Sequence, residues 1–204
     1  MTALIKSGGA LIVDALEAHG VKQLFCVPGE SYLEVLDALH DSTIVATSAR
    51  QEGGAAMMAE AWGKLHGTPG ICFVTRGPGA TNASAGIHVA QQDSTPMILF
   101  IGQINSQLRH REAFQEVDYG QYLGSMAKWV AEIDSPDRII EMVSRAWSVA
   151  TSGRPGPVVL VLPEDTLSGT AISTKIKPFE VLETYPSSAD LQHLANLLEQ
   201  ANKP

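Results

Sequence analysis

Glu52 stands where a strand-like run ends and a small-residue, apolar helix begins, in Arg50-Gln-Glu-Gly-Gly-Ala-Ala56. A carboxylate in a first helical turn is favoured by the positive end of the helix dipole, so a solvated cap is one reading. The other is a carboxyl held at a site for chemistry. Three more strand ends carry residues suited to binding: Val27-Pro28-Gly29-Glu30, Thr75-Arg76-Gly77-Pro78-Gly79 and Gly102-Gln103. Phe114-Gln115 lies in a polar stretch that can fold over the same edge. Ligands of open α/β sheets bind outside the carboxyl ends of the strands, so topology predicts a site where these ends converge.

Other chemistries find less support. Gly77-x-Gly79-x-x-Asn82 departs from the dinucleotide fingerprint at its third glycine and has proline between the first two. A tight strand-to-helix turn explains it as well, although the helix start behind it could accept an anion. The six histidines are scattered, with no H-x-x-x-H spacing and no carboxylate–histidine cluster that suggests a metal. Neither a Gly-x-Ser-x-Gly elbow nor a lysine-ended phosphate loop occurs. Cys26 and Cys72 each sit inside an apolar run and read as buried free thiols. Asn82-Ala83-Ser84 matches a glycosylation sequon, which carries no meaning in a cytoplasmic chain.

Apolar runs alternate with segments of helical period along most of the chain. Strands are expected at 24–27, 44–46, 71–74, 97–101, 128–133 and 158–162. Between them, Ser7 announces a first helix that Gly20 stops, and Ser31 with Glu34 has capping-box spacing for a second. Helices are also expected from Glu52 to about His66, from the Gly77-Pro-Gly79 turn to Gln92, and from Ser135-Pro136 to Ser152. Several strands are apolar on both faces, as in a parallel sheet covered on each side. The fold expected is α/β: a doubly wound, about six-stranded parallel sheet flanked by helices.

Residues 1–165 form the expected domain, and 166–186, rich in Ser, Thr, Lys and Pro, read as a linker. Ser187 or Ser188 then caps a helix whose Leu191, Leu194, Leu197 and Leu198 have no obvious partner. Residues 187–204 read as the start of a truncated central domain. The 204 residues carry a formal net charge of −8, which argues against a nucleic-acid or anionic-membrane partner. No apolar run is long enough for a membrane span, and the first residues resemble no secretory signal, so a cytoplasmic location is expected.

Five motifs occur in order: Val27-Pro-Gly29, Arg50-Gln-Glu-Gly-Gly-Ala-Ala56, Thr75-Arg-Gly-Pro-Gly-Ala-Thr-Asn82, Asp93-Ser-Thr-Pro-Met97 and Gly102-Gln103. Together they resemble the N-terminal, pyrimidine-binding domain of thiamine-diphosphate enzymes. Phe114-Gln-Glu116 narrows the resemblance to the acetolactate synthase large subunit and its relatives. The resemblance implies that Glu52 is the catalytic glutamate at N1′ of the cofactor's aminopyrimidine. There it favours the imino tautomer, whose 4′-nitrogen removes the thiazolium C2 proton. It also implies that Pro28, Gly29, Thr75, Pro78, Asn82 and Gln115 line the cofactor pocket, with Glu30, Phe114 and Gln115 towards the substrate channel. On this footing the Gly77-Pro-Gly79 turn serves the pyrimidine end. Diphosphate and Mg2+ bind a C-terminal domain absent here, so no metal ligand is expected in this chain and the fragment alone is expected to be inactive.

The implied reaction is decarboxylation of a small-molecule 2-oxo acid followed by carboligation, in a homodimer or homotetramer. A flavin (FAD) requirement is left open. Val27, Glu30-Ser31, Arg76 and Asn105 depart from the acetolactate synthase pattern. Glu30 and Arg76 add charge near strand ends, so the resemblance does not single out pyruvate. The alternatives are a non-ligating 2-oxo acid decarboxylase of the same fold and a stand-alone binding or assembly module.

Overall fold

The computed structural model describes residues 4–181 and 184–203. Its elements are β1 (Ile5–Ser7), α1 (Gly8–Ala18), β2 (Gln23–Cys26), α2 (Leu33–His40), β3 (Val45–Ser48), α3 (Glu52–His66), β4 (Gly70–Val74) and α4 (Pro78–Gln92). There follow β5 (Met97–Gln103), α5 (Tyr119–Leu123), β6 (Trp129–Glu132), α6 (Ile139–Thr151), β7 (Pro157–Pro163), α7 (Glu164–Ser168), β8 (Thr170–Ile172) and α8 (Ser188–Gln200).

Six strands form one parallel sheet in the order β3-β2-β4-β5-β7-β6. Its central strands are buried on both faces because successive residues serve two separate cores. Ile71, Phe73, Ile98, Phe100, Val158 and Leu160 point to one, where α1 and α6 supply Leu11, Leu16, Val143 and Trp147. Cys72, Val74, Leu99, Ile101, Val159 and Val161 point to the other, where α3, α4 and α5 supply Ala55, Ala59, Ala83, Ile87 and Leu123. Period-two alternation therefore appears in the packing but not in the hydropathy, which is why these strands read as unbroken apolar runs.

The small residues of α3 have a packing reason. A Cβ on Gly70 would lie 1.8 Å from the Ala59 carbonyl oxygen, and one on Gly63 would lie 2.2 Å from that of Pro96. One on Gly86 of α4 would come within 2.5 Å of Ala56 Cβ. These approaches bring α3 close to both α4 and the sheet, and so set the height of Glu52 above the strand ends.

Three local readings differ from the folded chain. Ser31 and Glu34 form no capping box: Ser31 lies in a short 3-10 turn, and α2 begins after Tyr32 with no side-chain cap. The Ser31 hydroxyl is committed across the sheet to Thr75 instead. Ser135 likewise makes no capping hydrogen bond, and Pro136–Arg138 form a 3-10 turn ahead of α6. The region read as a linker from 166 begins with structure: α7 continues to Ser168, and β8 pairs antiparallel with β1. Further on, Ser187 caps α8 in a capping box with Asp190. The stripe Leu191, Leu194, Leu197 and Leu198 is 51–53% exposed. Among the described residues no helix is long and apolar enough to cross a membrane.

At the amino edge of the sheet, His19 closes α1. Its Nδ1 donates to the Ala15 carbonyl at 2.8 Å, and its ring lies 4.7 Å from that of Trp147. Burial holds its pKa below the ordinary value of 6.5, opposed by the bond to Ala15. The unfolded chain therefore takes up this proton first as pH falls. The stabilising term is complete above the ordinary value and is lost as pH drops through the window below it. We expect the melting temperature to fall as pH is lowered from 7 towards 5, and the His19→Gln variant to be flatter over that interval. Parallel slopes for the two proteins would show that another group is responsible.

Candidate functional site

The chain runs from β2 out to β3 and then crosses back to β4 on the other side of β2. This reversal between β2 and β4 opens a crevice at their carboxyl ends, the place where doubly wound sheets bind ligands. The loops after β2, β3 and β4 meet there. A Cβ on Gly29 would lie 2.6 Å from Thr75 Cβ, so only glycine lets the first loop lie against the third. Thr75 Oγ1 is 2.8 Å from Ser31 Oγ, which also accepts the Arg76 backbone N–H at 3.4 Å.

Glu52 opens α3 over this crevice. Gln51 caps the helix, its side-chain oxygen accepting from Gly54 N at 2.9 Å, which leaves the Glu52 side chain free of that duty. The Asn82 amide donates to Glu52 Oε2 at 3.0 Å. The other carboxylate oxygen, Oε1, faces Gly79, where an added Cβ would stand 3.4 Å from it and 2.8 Å from Thr75 Cγ2. Glu52, Thr75, Gly79 and Asn82 thus form one contiguous wall, with Gly29 behind Thr75. Glu52 is half-buried, so this chain alone does not enclose the carboxyl. Pro28 and Pro78 lie exposed at the rim, Pro78 as the first residue of α4.

The Gly77 turn is joined to the Phe114-Gln115 loop. Gly77 has φ +61° and ψ −115°, and a Cβ there would meet Gln115 Cβ at 2.8 Å. Its backbone N–H donates to the Tyr119 hydroxyl at 2.8 Å. Gln115 itself has φ +68°, in the left-handed region. Phe114 is 76% exposed and projects from the loop. Behind the loop, between it and β6 and β7, lies a cleft of about 920 Å3 lined by Gln103, Arg109, Glu116, Tyr119 and Glu132 among others. Glu52, Thr75 and Asn82 do not line it.

Charge at this edge centres on Arg76, whose side chain is 11% exposed. Its guanidinium donates to Glu164 and, at 3.4 Å, to Glu30 Oε1. Glu30 is largely exposed, so Arg76 ties a solvent-facing carboxylate to the end of β7. The roles of Ser31, Tyr119 and Glu164 are not readable from local pattern, because each rests on a contact with another segment. Gly102 signals one of these contacts: a Cβ there would lie 2.1 Å from Ser31 Oγ.

Residues 6–122 match the family described as "Thiamine pyrophosphate enzyme, N-terminal TPP binding domain". The chain belongs to this family. It is 41% identical over 162 residues to the probable acetolactate synthase large subunit of Methanocaldococcus jannaschii, covering 79% of this chain and 27% of that protein. It is 34% identical over 206 residues to chloroplastic acetolactate synthase 3 of Brassica napus, covering 98% and 32%. The large subunit of Escherichia coli acetolactate synthase isozyme 2 is 34% identical over 199 residues, covering 97% and 36%. The chain therefore spans about a third of the length of the curated relatives it matches.

An aminopyrimidine fits the residues of this crevice. Gly29 and Gly79 let their backbones lie against Thr75, and Glu52 presents one restrained carboxylate with an oxygen directed at Gly79. Among the described residues no group of His, Cys, Asp and Glu could hold a metal ion.

Proposed function

We propose that this domain binds the pyrimidine half of thiamine diphosphate, in a protein that decarboxylates a 2-oxo acid and transfers the remaining carbon unit to an acceptor. The observation that carries the reading is Glu52, held by Asn82 and facing Gly79 in the crevice between β2 and β4. When bound, the cofactor supplies the electron sink for the carbanion left by loss of carbon dioxide. The chain's own part is to hold and move a proton. Glu52 shares one with ring nitrogen N1′, and its Asn82 bond keeps the carboxyl from rotating away. Thr75, Gly29 and Gly79 set the depth to which a flat ring can enter. Gln115 and Phe114 flank the side from which substrate arrives, and Glu30 lies at its rim.

Diphosphate and Mg2+ are then held by a further domain, and the half-buried state of Glu52 supports a second copy of the protein completing the enclosure as a homodimer or homotetramer. The exposed leucine stripe of α8 suits the opening of a central domain. The test uses the full natural protein with thiamine diphosphate and Mg2+, measuring carbon dioxide release and ligated product from pyruvate and larger 2-oxo acids. Cofactor-dependent release with a new carbon–carbon bond is expected. Release without ligation would indicate a simple decarboxylase, and no cofactor-dependent turnover with any 2-oxo acid would refute the reading.

A further inference from the structure

We infer that Gln103 is a positioning residue for this site, clamping both ends of the loop that carries Phe114 and Gln115. The inference rests on the cofactor reading above. Gln103 ends β5 and is 4% exposed. Its Oε1 accepts from Ile104 N at 3.0 Å, and its Nε2 donates to the Val117 carbonyl at 2.9 Å. One partner can only donate and the other can only accept, so the amide has a single orientation. The clamp joins the residue that starts the loop to the one that ends it.

The loop needs such a clamp because it does not rest on a packed core. The cleft of about 920 Å3 lies behind it. Its backbone also has left-handed φ at His110, Glu112 and Gln115, conformations that persist only where surrounding contacts impose them. Other bonds hold its flanks: Ser106 to Asp165, Arg109 to Glu132, and His110 N to Glu116 Oε1 at 3.0 Å. Gln103 sets the span between its ends. That span places Gln115 against Gly77, whose turn opens α4 and carries Gly79 and Asn82 to Glu52. Gln103 reaches the crevice only through these residues.

Two variants of the full natural protein test this. Gln103→Leu removes both bonds and leaves the buried Ile104 N–H and the part-buried Val117 carbonyl without their side-chain partner. Gln103→Glu keeps the acceptor for Ile104 N but can donate to Val117 only when protonated. We expect Gln103→Leu to lower kcat by up to roughly 10²-fold, the scale of a small misplacement caused far from the reacting atoms, with a smaller change in KM. Trypsin should also cut faster at Arg109 and Arg111. Gln103→Glu should behave like Gln103→Leu at pH 8 and approach the wild-type rate as pH falls to 6, with slower cutting. Unchanged kcat per folded molecule in Gln103→Leu overturns the inference, whether or not cutting is faster. So does a Gln103→Glu profile parallel to that of Gln103→Leu or of wild type. A wild-type protein without cofactor-dependent turnover refutes the cofactor reading itself, a result distinct from these.

Discussion

The Glu52→Gln substitution is expected to lower thiamine-diphosphate-dependent turnover of the full natural protein by about 10²–10⁴-fold, the range for losing a positioned proton-transfer group. Glutamine keeps the volume of the side chain, and its oxygen can still accept from Asn82, so the wall of the crevice is preserved. It cannot share a proton with a ring nitrogen as a carboxyl does. Cofactor affinity should change by much less than turnover, because the glycines and Thr75 that admit the ring are untouched. Steady-state rates together with exchange of the cofactor's C2 proton, followed by NMR, separate the two effects. Undiminished exchange would show that the glutamate does not activate the cofactor. A large loss of affinity with normal exchange would make Glu52 a binding residue only.

The second large effect is expected at Gly77. Alanine there must hold φ +61° with ψ −115°, a region closed to side chains, and its Cβ would sit 2.8 Å from Gln115 Cβ. Backbone strain of about 1–3 kcal/mol and overpacking of about 1–3 kcal/mol both apply, so we expect a loss of about 2–6 kcal/mol in urea unfolding. Gly153 supplies an internal control. It has the same φ of +61°, but nothing lies within 4 Å of an added Cβ. Gly153→Ala should therefore cost less than Gly77→Ala, the difference combining the strain of ψ −115° at Gly77 with the contact to Gln115. Equal losses would mean that neither the ψ angle at Gly77 nor its contact with Gln115 adds a cost. Gly77→Ala should in addition lower turnover, since displacing the turn moves α4 and with it Asn82.

Much of the site was legible because its residues are demanded by local backbone events. Gly29, Gly77 and Gly79 mark close approaches, and Glu52 marks a helix start; each leaves a sign within a few residues. The resemblance to thiamine-diphosphate enzymes drew on those same signs. Ser31 shows where such reading stops. Its spacing to Glu34 satisfies a capping rule, yet its hydroxyl bonds Thr75, 44 residues away. Local pattern offered one partner and the folded chain supplied a better one. Gln103 is the converse case: the sequence marks it as a polar residue at a strand end, but the partner of its amide is a carbonyl 14 residues further along. The pairing of β1 with β8 is less visible still, since two three-residue strands from opposite ends of the domain carry no pattern of their own.

Local sequence alone was enough to place six strands in alternation with helices, to mark several of them as buried on both faces, and to put polar and glycine-rich turns at their carboxyl ends. These follow from short unbroken apolar runs bounded by turn residues and from the 3.6-residue period of the helices between them, signals that act over a single element. The strand order, and hence the reversal of the chain between β2 and β4, emerges only in the folded chain. That reversal brings Gly29 to Thr75 and puts Glu52 within a hydrogen bond of Asn82. Strand order is set by which faces cover one another once all the helices are docked, a non-local balance that no window of sequence contains.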